Sequence, residues 1–233
     1  MKKKQRRSFS GWLIRTVIKL FLLVVCLSLF QVAALRYINP PFTVNMVWER
    51  LRHELFDAPY VLPAYEWQNL SDISPHLQQA VIASEDQRFL THHGFDFEEI
   101  KIVIKNMMEN KGFRGASTIT MQAARSVYLP ASRNMLRKLA EAWYTVLIEL
   151  VWDKRRILEI YLNTVDWGTG IVGAQAGARV YFGKNADDLT LEQAALMAAI
   201  LPSPHKWSVK DPGPHVKKRQ RHILTAMPAM PIL

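Results

Sequence analysis

Thiols are almost absent. The one cysteine, Cys26, lies inside an apolar run, so no intramolecular disulfide can form and no thiol outside that run serves catalysis or metal binding. Stability must come from packing. No second ligand pair stands at a helical or ribbon spacing from His92-His93, which argues against zinc and against any metal site built by the protein. Alternating strand patterns and internal repeats are also missing. Acidic residues are missing from two stretches, 1–19 and 111–140.

The first acid-free stretch explains most of the basicity. Of the formal net charge of +10, seven positive charges fall within the first 19 residues, leaving +3 for everything else. A terminal cluster is not a groove lining, and nucleic acid is excluded as a partner on that ground. Behind the cluster, Leu20 to Leu35 carries no charge. Counted from Trp12, with Arg15 and Lys19 snorkelling, it reaches the roughly 20 residues that cross a bilayer. The preceding charges put the N-terminus in the cytoplasm and the chain beyond Arg36 outside it. Val32-Ala33-Ala34 also resembles a signal cleavage site, and both readings export the remainder.

The expected organisation is a basic cytoplasmic tail over 1–11, a transmembrane anchor over 12–35, a juxtamembrane connection over 36–73, and one domain over 74–233. At 49% hydrophobic and 21% charged residues, the chain is composed like a packed body. Within the connection, Val47, Leu51 and Leu55 recur at four-residue spacing, an amphipathic helix that lies on the membrane or packs on the body. Ser74-Pro75 opens a helix that reads on through Leu90. Leu136, Leu139, Ala140, Trp143, Leu147, Leu150 and Val151 trace one helix face, and Ile157, Leu158, Tyr161 and Leu162 another. Thr190 and Gln193 form a capping box before an apolar run that Pro202 and Pro204 stop. The domain reads as mainly α.

Three places carry chemistry. Glu85-Asp86 ends an apolar helix, where partial burial suits a carboxylate to general-base work; the plain alternative is an exposed acidic helix end. His92 is better read as an orienting partner than as a ligand. Lys111 to Ala140 holds Lys111, Arg114, Arg125, Arg133, Arg137 and Lys138 without one acid. Gly112 and Gly115 loosen its loop, and Ser117-Thr118 can cap a helix at Ile119. Such a loop suits phosphate or pyrophosphate; the alternative is a solvated face. Glu141 closes the stretch, either as an ion pair with Arg137 four residues back or as a second functional carboxylate. Local pattern alone stops at an exported helical protein that binds an anion.

Taken in order, these stretches resemble the peptidoglycan glycosyltransferase family, found at the front of bifunctional penicillin-binding proteins and alone in monofunctional biosynthetic transglycosylases. Glu85-Asp86-x-x-Phe89-x-x-His92-x-Gly94 is similar to its first motif, and Gly115 to Gln122 (GASTITMQ) to its second. Arg137-Lys138-x-x-Glu141 matches the third and Ile157 to Asn163 the fourth. Gly173 to Ala176 and Tyr181 to Lys184 match the fifth. The matches run from about Ser74 to Leu224.

The resemblance implies a lysozyme-like fold with a larger lobe, a smaller membrane-facing lobe and a groove between them. It implies lipid II, a disaccharide-peptide on undecaprenyl pyrophosphate, and the growing lipid-linked strand as substrates. By the same resemblance Glu85 is the base that activates the acceptor sugar's 4-hydroxyl, and Arg125, Arg133 and Lys138 bind the pyrophosphate. Glu141 holds that basic set or a bound divalent ion. Ser117, Thr118 and Gln122 line the donor side, Asp86, Phe89 and His92 shape the surroundings of the base, and Tyr161 and Asn163 brace the fold. The only cofactor suggested is a divalent cation (Mg or Mn) riding on the substrate's pyrophosphate. Further partners would be other cell-wall synthesis or division proteins, and the implied location is the bacterial inner membrane with the domain periplasmic.

Two departures stand out: Met121-Gln122 where two glutamines are common, and Arg125 where lysine is. No penicillin-reactive serine motif is present, so a monofunctional enzyme is expected. The rivals are a lysozyme-like hydrolase and an anchored, non-enzymatic envelope scaffold. A hydrolase expels a sugar rather than a pyrophosphate and needs no basic patch beside its carboxylates.

Overall fold

The computed structural model describes residues 9–109, 115–132 and 134–233; Lys111, Gly112, Arg114 and Arg133 lie outside the described residues. Ten helices dominate them: α1 (Phe9–Leu35), α2 (Val44–Phe56), α3 (Pro75–Glu85), α4 (Phe97–Met108), α5 (Ile119–Tyr128), α6 (Met135–Val151), α7 (Lys154–Thr164), α8 (Ala174–Phe182), α9 (Leu191–Ile200) and α10 (Pro214–Ala226).

The caps fall where the side chains predict. Ser74 Oγ accepts the His76 amide with Pro75 at the first helical position, Thr118 caps α5, and Thr190 and Gln193 form a reciprocal box on α9. These caps satisfy amides that have no partner inside the helix. One helix is shorter than its pattern. α3 stops at Glu85, not Leu90, because the Asp86 carboxylate leaves the helix to accept the backbone N–H of Ile119 at 3.0 Å.

Three short strands escaped the sequence reading: β1 (Ala64–Tyr65), β2 (Asp166–Gly168) and β3 (Ile171–Val172). Their order is β1-β3-β2, with β1 parallel and β2 antiparallel to β3. Ala64 pairs with Ile171 and Tyr65 with Val172. Strands of two or three residues are too short to show an alternating period.

The larger lobe packs α3, α5, α7, α8, α9 and α10 around one core. Ile157, Leu158, Tyr161 and Leu162 are all fully buried there. α9 packs against α3 and α10 and carries four buried alanines, Ala194, Ala195, Ala198 and Ala199, small side chains that allow close helix approach. The smaller lobe is thin. α4 buries Val103 alone among its residues.

The apolar stripe traced on α6 is only partly buried: Leu147 lies in the core and Val151 packs against it. Leu136, Leu139 and Leu150 are exposed, whereas the residues turned inward are Glu141, Thr145, Leu147 and Ile148. α6 therefore carries a carboxylate into the protein beside Leu147 and Ile148 and leaves three of its leucines outside.

α1 is the one described helix long and apolar enough to cross a membrane; its 27 residues span about 40 Å at the helical rise. Its last turns are built into the domain. Trp143 Nε1 donates to Ser28 Oγ at 3.1 Å and Trp152 Nε1 to the Val32 carbonyl at 2.7 Å. The Arg156 guanidinium caps the helix end by donating to the carbonyls of Leu35 and Ile38. The amphipathic helix expected around Val47, Leu51 and Leu55 is α2, with no buried residue, ended by Asp57 in the left-handed conformation.

Candidate active site

Glu85 is the last residue of α3 and opens on a cleft of 480 Å³ lined by Asp86, Arg88, Asp96, Ser117, Thr118 and His222, among others. Its side chain is only 12% exposed. Each oxygen has its own partner: Oε1 accepts from Ser84 Oγ at 2.9 Å, and Oε2 accepts from Gln122 Nε2 at 3.0 Å. The Gln122 amide oxygen in turn faces Arg125 Nη2 at 3.5 Å and the Tyr161 hydroxyl at 3.3 Å. Residues far apart in sequence thus meet at one carboxylate.

Burial holds the Tyr161 hydroxyl well above its usual range. The nearby Glu85 and Asp86 charges push the same way, and Arg125 opposes them. The hydroxyl stays protonated and donates to Gln122, fixing which way that amide points. Of the two departures, Met121 is buried, leaving Gln122 as the residue that reaches Glu85, and Arg125 faces the amide oxygen of that same glutamine.

Asp86 is structural to the site. His92 Nε2 lies 2.9 and 3.0 Å from its two oxygens, and an ionised carboxylate only accepts, so Nε2 carries the proton. With the Ile119 amide, this clamps the first turn of α5 to the end of α3. Thr118 ties down the same turn: its hydroxyl donates to the Gly94 carbonyl at 2.6 Å and accepts the Met121 amide. Gly94 has φ +87°, and a Cβ there would stand 2.7 Å from Thr145 Cγ2 of α6. Ser117 lines the cleft. Phe89 is fully buried, with Lys154 Nζ 4.7 Å above its ring.

Asp86, His92 and Asp96 bring ligand-type atoms within 4.8 Å of one another, but they are committed to the protein. Arg88 grips Asp96 with two hydrogen bonds, 2.7 and 2.8 Å, and the Glu99 amide adds a third at 2.9 Å. Burial opposes ionisation of Asp96, yet that amide and the Arg88 contacts outweigh it, and its pKa is lowered.

Glu141 forms a second charged centre. Its side chain, 1% exposed, accepts from Arg137 and from Lys138 Nζ at 2.5 Å. The ion pair with Arg137 expected from the spacing exists, and Lys138, whose side chain is 44% exposed, shares the same carboxylate. Among the described contacts none joins Glu141 directly to Glu85. α5, which carries Gln122 and Arg125, packs against α6, which carries Glu141.

The sequence reading missed Ser84, Arg88 and Arg219 and gave Tyr161 to the fold alone. Arg219 lies in a basic run that looks solvated, and nothing local marks its contact with Ser84.

A mainly helical domain with a carboxylate at a helix end opening on a cleft agrees with a lysozyme-like fold. The transglycosylase family model matches residues 61–228. The chain is 44% identical over 218 residues to a biosynthetic peptidoglycan transglycosylase of Shewanella oneidensis, covering 93% of this chain and 90% of that one. Proteins of the same name from Pseudomonas aeruginosa (43%, 92% of each chain) and Aeromonas hydrophila (46%, 90% and 88%) are similar to it as well. The chain belongs to the transglycosylase family.

Proposed function

We propose that this protein is a peptidoglycan glycosyltransferase that polymerises lipid II into glycan strands, with Glu85 as its general base. The observation that carries the assignment is the path Glu85–Gln122–Arg125, which sets a proton acceptor beside a fixed positive charge. Glu85 takes the proton of the acceptor's 4-hydroxyl as that oxygen bonds to the anomeric carbon of the lipid-linked strand. The anomeric carbon–oxygen bond to phosphate breaks with inversion, and undecaprenyl pyrophosphate leaves with the electron pair.

Arg125, Arg133 and Lys138 stabilise the charge on that leaving group, an interaction stronger in the transition state than before it. Glu141 keeps Lys138 aimed, and Ser117, Thr118 and Gln122 line the donor side. A divalent cation enters with the pyrophosphate as part of the substrate. The domain stands outside the cytoplasmic membrane, with α1 spanning it, and the exposed apolar residues of α2, α4 and α6 rest on the lipid that carries the substrate.

The test is to incubate purified protein with labelled lipid II in detergent, beside Glu85→Gln, and to resolve products by size with and without lysozyme. A lysozyme-sensitive ladder from the unaltered protein, reduced about 10²- to 10⁴-fold in the variant, is expected. Breakdown of preformed strands instead of synthesis would establish the hydrolase. A variant polymerising within a few-fold of the parent would end the general-base role.

A further inference from the structure

Arg219, on α10, lies beyond the five motifs though within the stretch that resembles the family, and it reaches the candidate base. Its Nη2 donates to Ser84 Oγ at 3.1 Å and stands 4.0 Å from Glu85 Oε1. Its Nε donates to the Ala199 carbonyl at 3.1 Å, near the end of α9. The guanidinium also faces the Trp207 ring at 5.8 Å, and that ring contacts His215 of α10. One side chain thereby joins α10, α9 and the end of α3 at the carboxylate. Ser84 Oγ has one proton to give, and both Glu85 Oε1 and the Ala198 carbonyl lie within its reach. A donor already facing the serine oxygen limits how that hydroxyl can turn.

We propose that Arg219 is a positioning residue for Glu85, acting through Ser84. This rests on Glu85 being the base. A glutamate side chain has three rotatable bonds, and a general base must lie within hydrogen-bond reach of the proton it takes. Gln122 of α5 fixes Oε2, and Ser84 of α3 with Arg219 of α10 fixes Oε1. The 4.0 Å separation matters. Arg219 attracts Oε1 without a direct hydrogen bond, so the oxygen keeps capacity to accept the substrate's proton. A planar fork can serve Ala199 and Ser84 together in a way that a lysine ammonium reproduces only in part.

The experiment compares the full chain with Arg219→Met, Arg219→Lys and Glu85→Gln, measuring kcat and KM on lipid II in detergent together with thermal melting. Arg219→Met should lower kcat about 10- to 100-fold, the cost of a misplaced reacting group, with KM held within about twofold. Arg219→Lys should recover part of the loss, and added methylguanidinium should partly restore Arg219→Met while leaving Glu85→Gln inactive. A kcat unchanged in Arg219→Met, or a loss confined to KM, overturns the proposal. So does a kcat loss that neither lysine nor methylguanidinium relieves, since that marks a purely structural role. If the methionine variant does not melt cooperatively, the lysine variant decides: a lowered kcat with KM held supports positioning, and full kcat overturns it. An active Glu85→Gln would instead remove the base on which this rests, whatever Arg219 does.

Discussion

The two faces of the domain solve opposite problems with the same residue types. Around α3, α7 and α9, apolar side chains are buried and hold Glu85 at a helix end where three helices converge. On α6, leucines face outward and a glutamate with two basic partners faces in. Leu136, Leu139 and Leu150 are exposed while Glu141 is buried. The difference teaches that hydrophobicity marks the core on one side and, on the reading proposed above, a lipid-facing surface on the other.

The sharpest way to break this contrast is to remove the buried charge. Glu141→Ala leaves Arg137 with its partner gone and should cost about 3–5 kcal/mol of stability, read by denaturant unfolding, with polymerisation falling alongside. An unchanged unfolding midpoint would mean that Arg137 and Lys138 reach solvent without Glu141. Next comes a matched pair of leucine-sized truncations. Ile160→Ala, fully buried, should cost about 2–5 kcal/mol, whereas Leu139→Ala should stay within about 0.5 kcal/mol and instead weaken binding of the protein to lipid vesicles. Equal costs at the two sites would erase the distinction between core and membrane face.

Smaller still is Gly94→Ala, expected to cost about 1–3 kcal/mol because both the backbone angle and Thr145 oppose a Cβ. The smallest effect concerns pH. Asp96 has a folded pKa below its ordinary 3.8, so its contribution is present above that value and is lost as pH falls through the folded one. Asp96→Asn should flatten the acid limb of stability below about pH 4. The change should be no more than about 1 kcal/mol because Arg88 is partly solvated. An acid limb unchanged by the substitution would place that loss elsewhere.

Much of this was legible from residues alone. Ser74-Pro75, Thr118 and Thr190 with Gln193 announce their helices because capping is a local hydrogen bond between a side chain and nearby amides. The charge-free run from Leu20 to Leu35 announces a membrane-length helix for an equally local reason. Spacing also placed Arg137 four residues before Glu141, so their pairing followed from the helical repeat.

Tertiary structure decided the rest. Whether α6 turns its leucines or its glutamate inward depends on what packs against it. Periodicity defines a stripe and cannot say which solvent that stripe meets. The turn at Asp86 depends on an amide 33 residues away; Tyr161 reaches Gln122 because α7 packs on α5, and Arg219 reaches Ser84 and Glu85 because α9 and α10 close on α3. A base is held by hydrogen bonds that act over about 3 Å, and only the folded chain brings such distant residues that close.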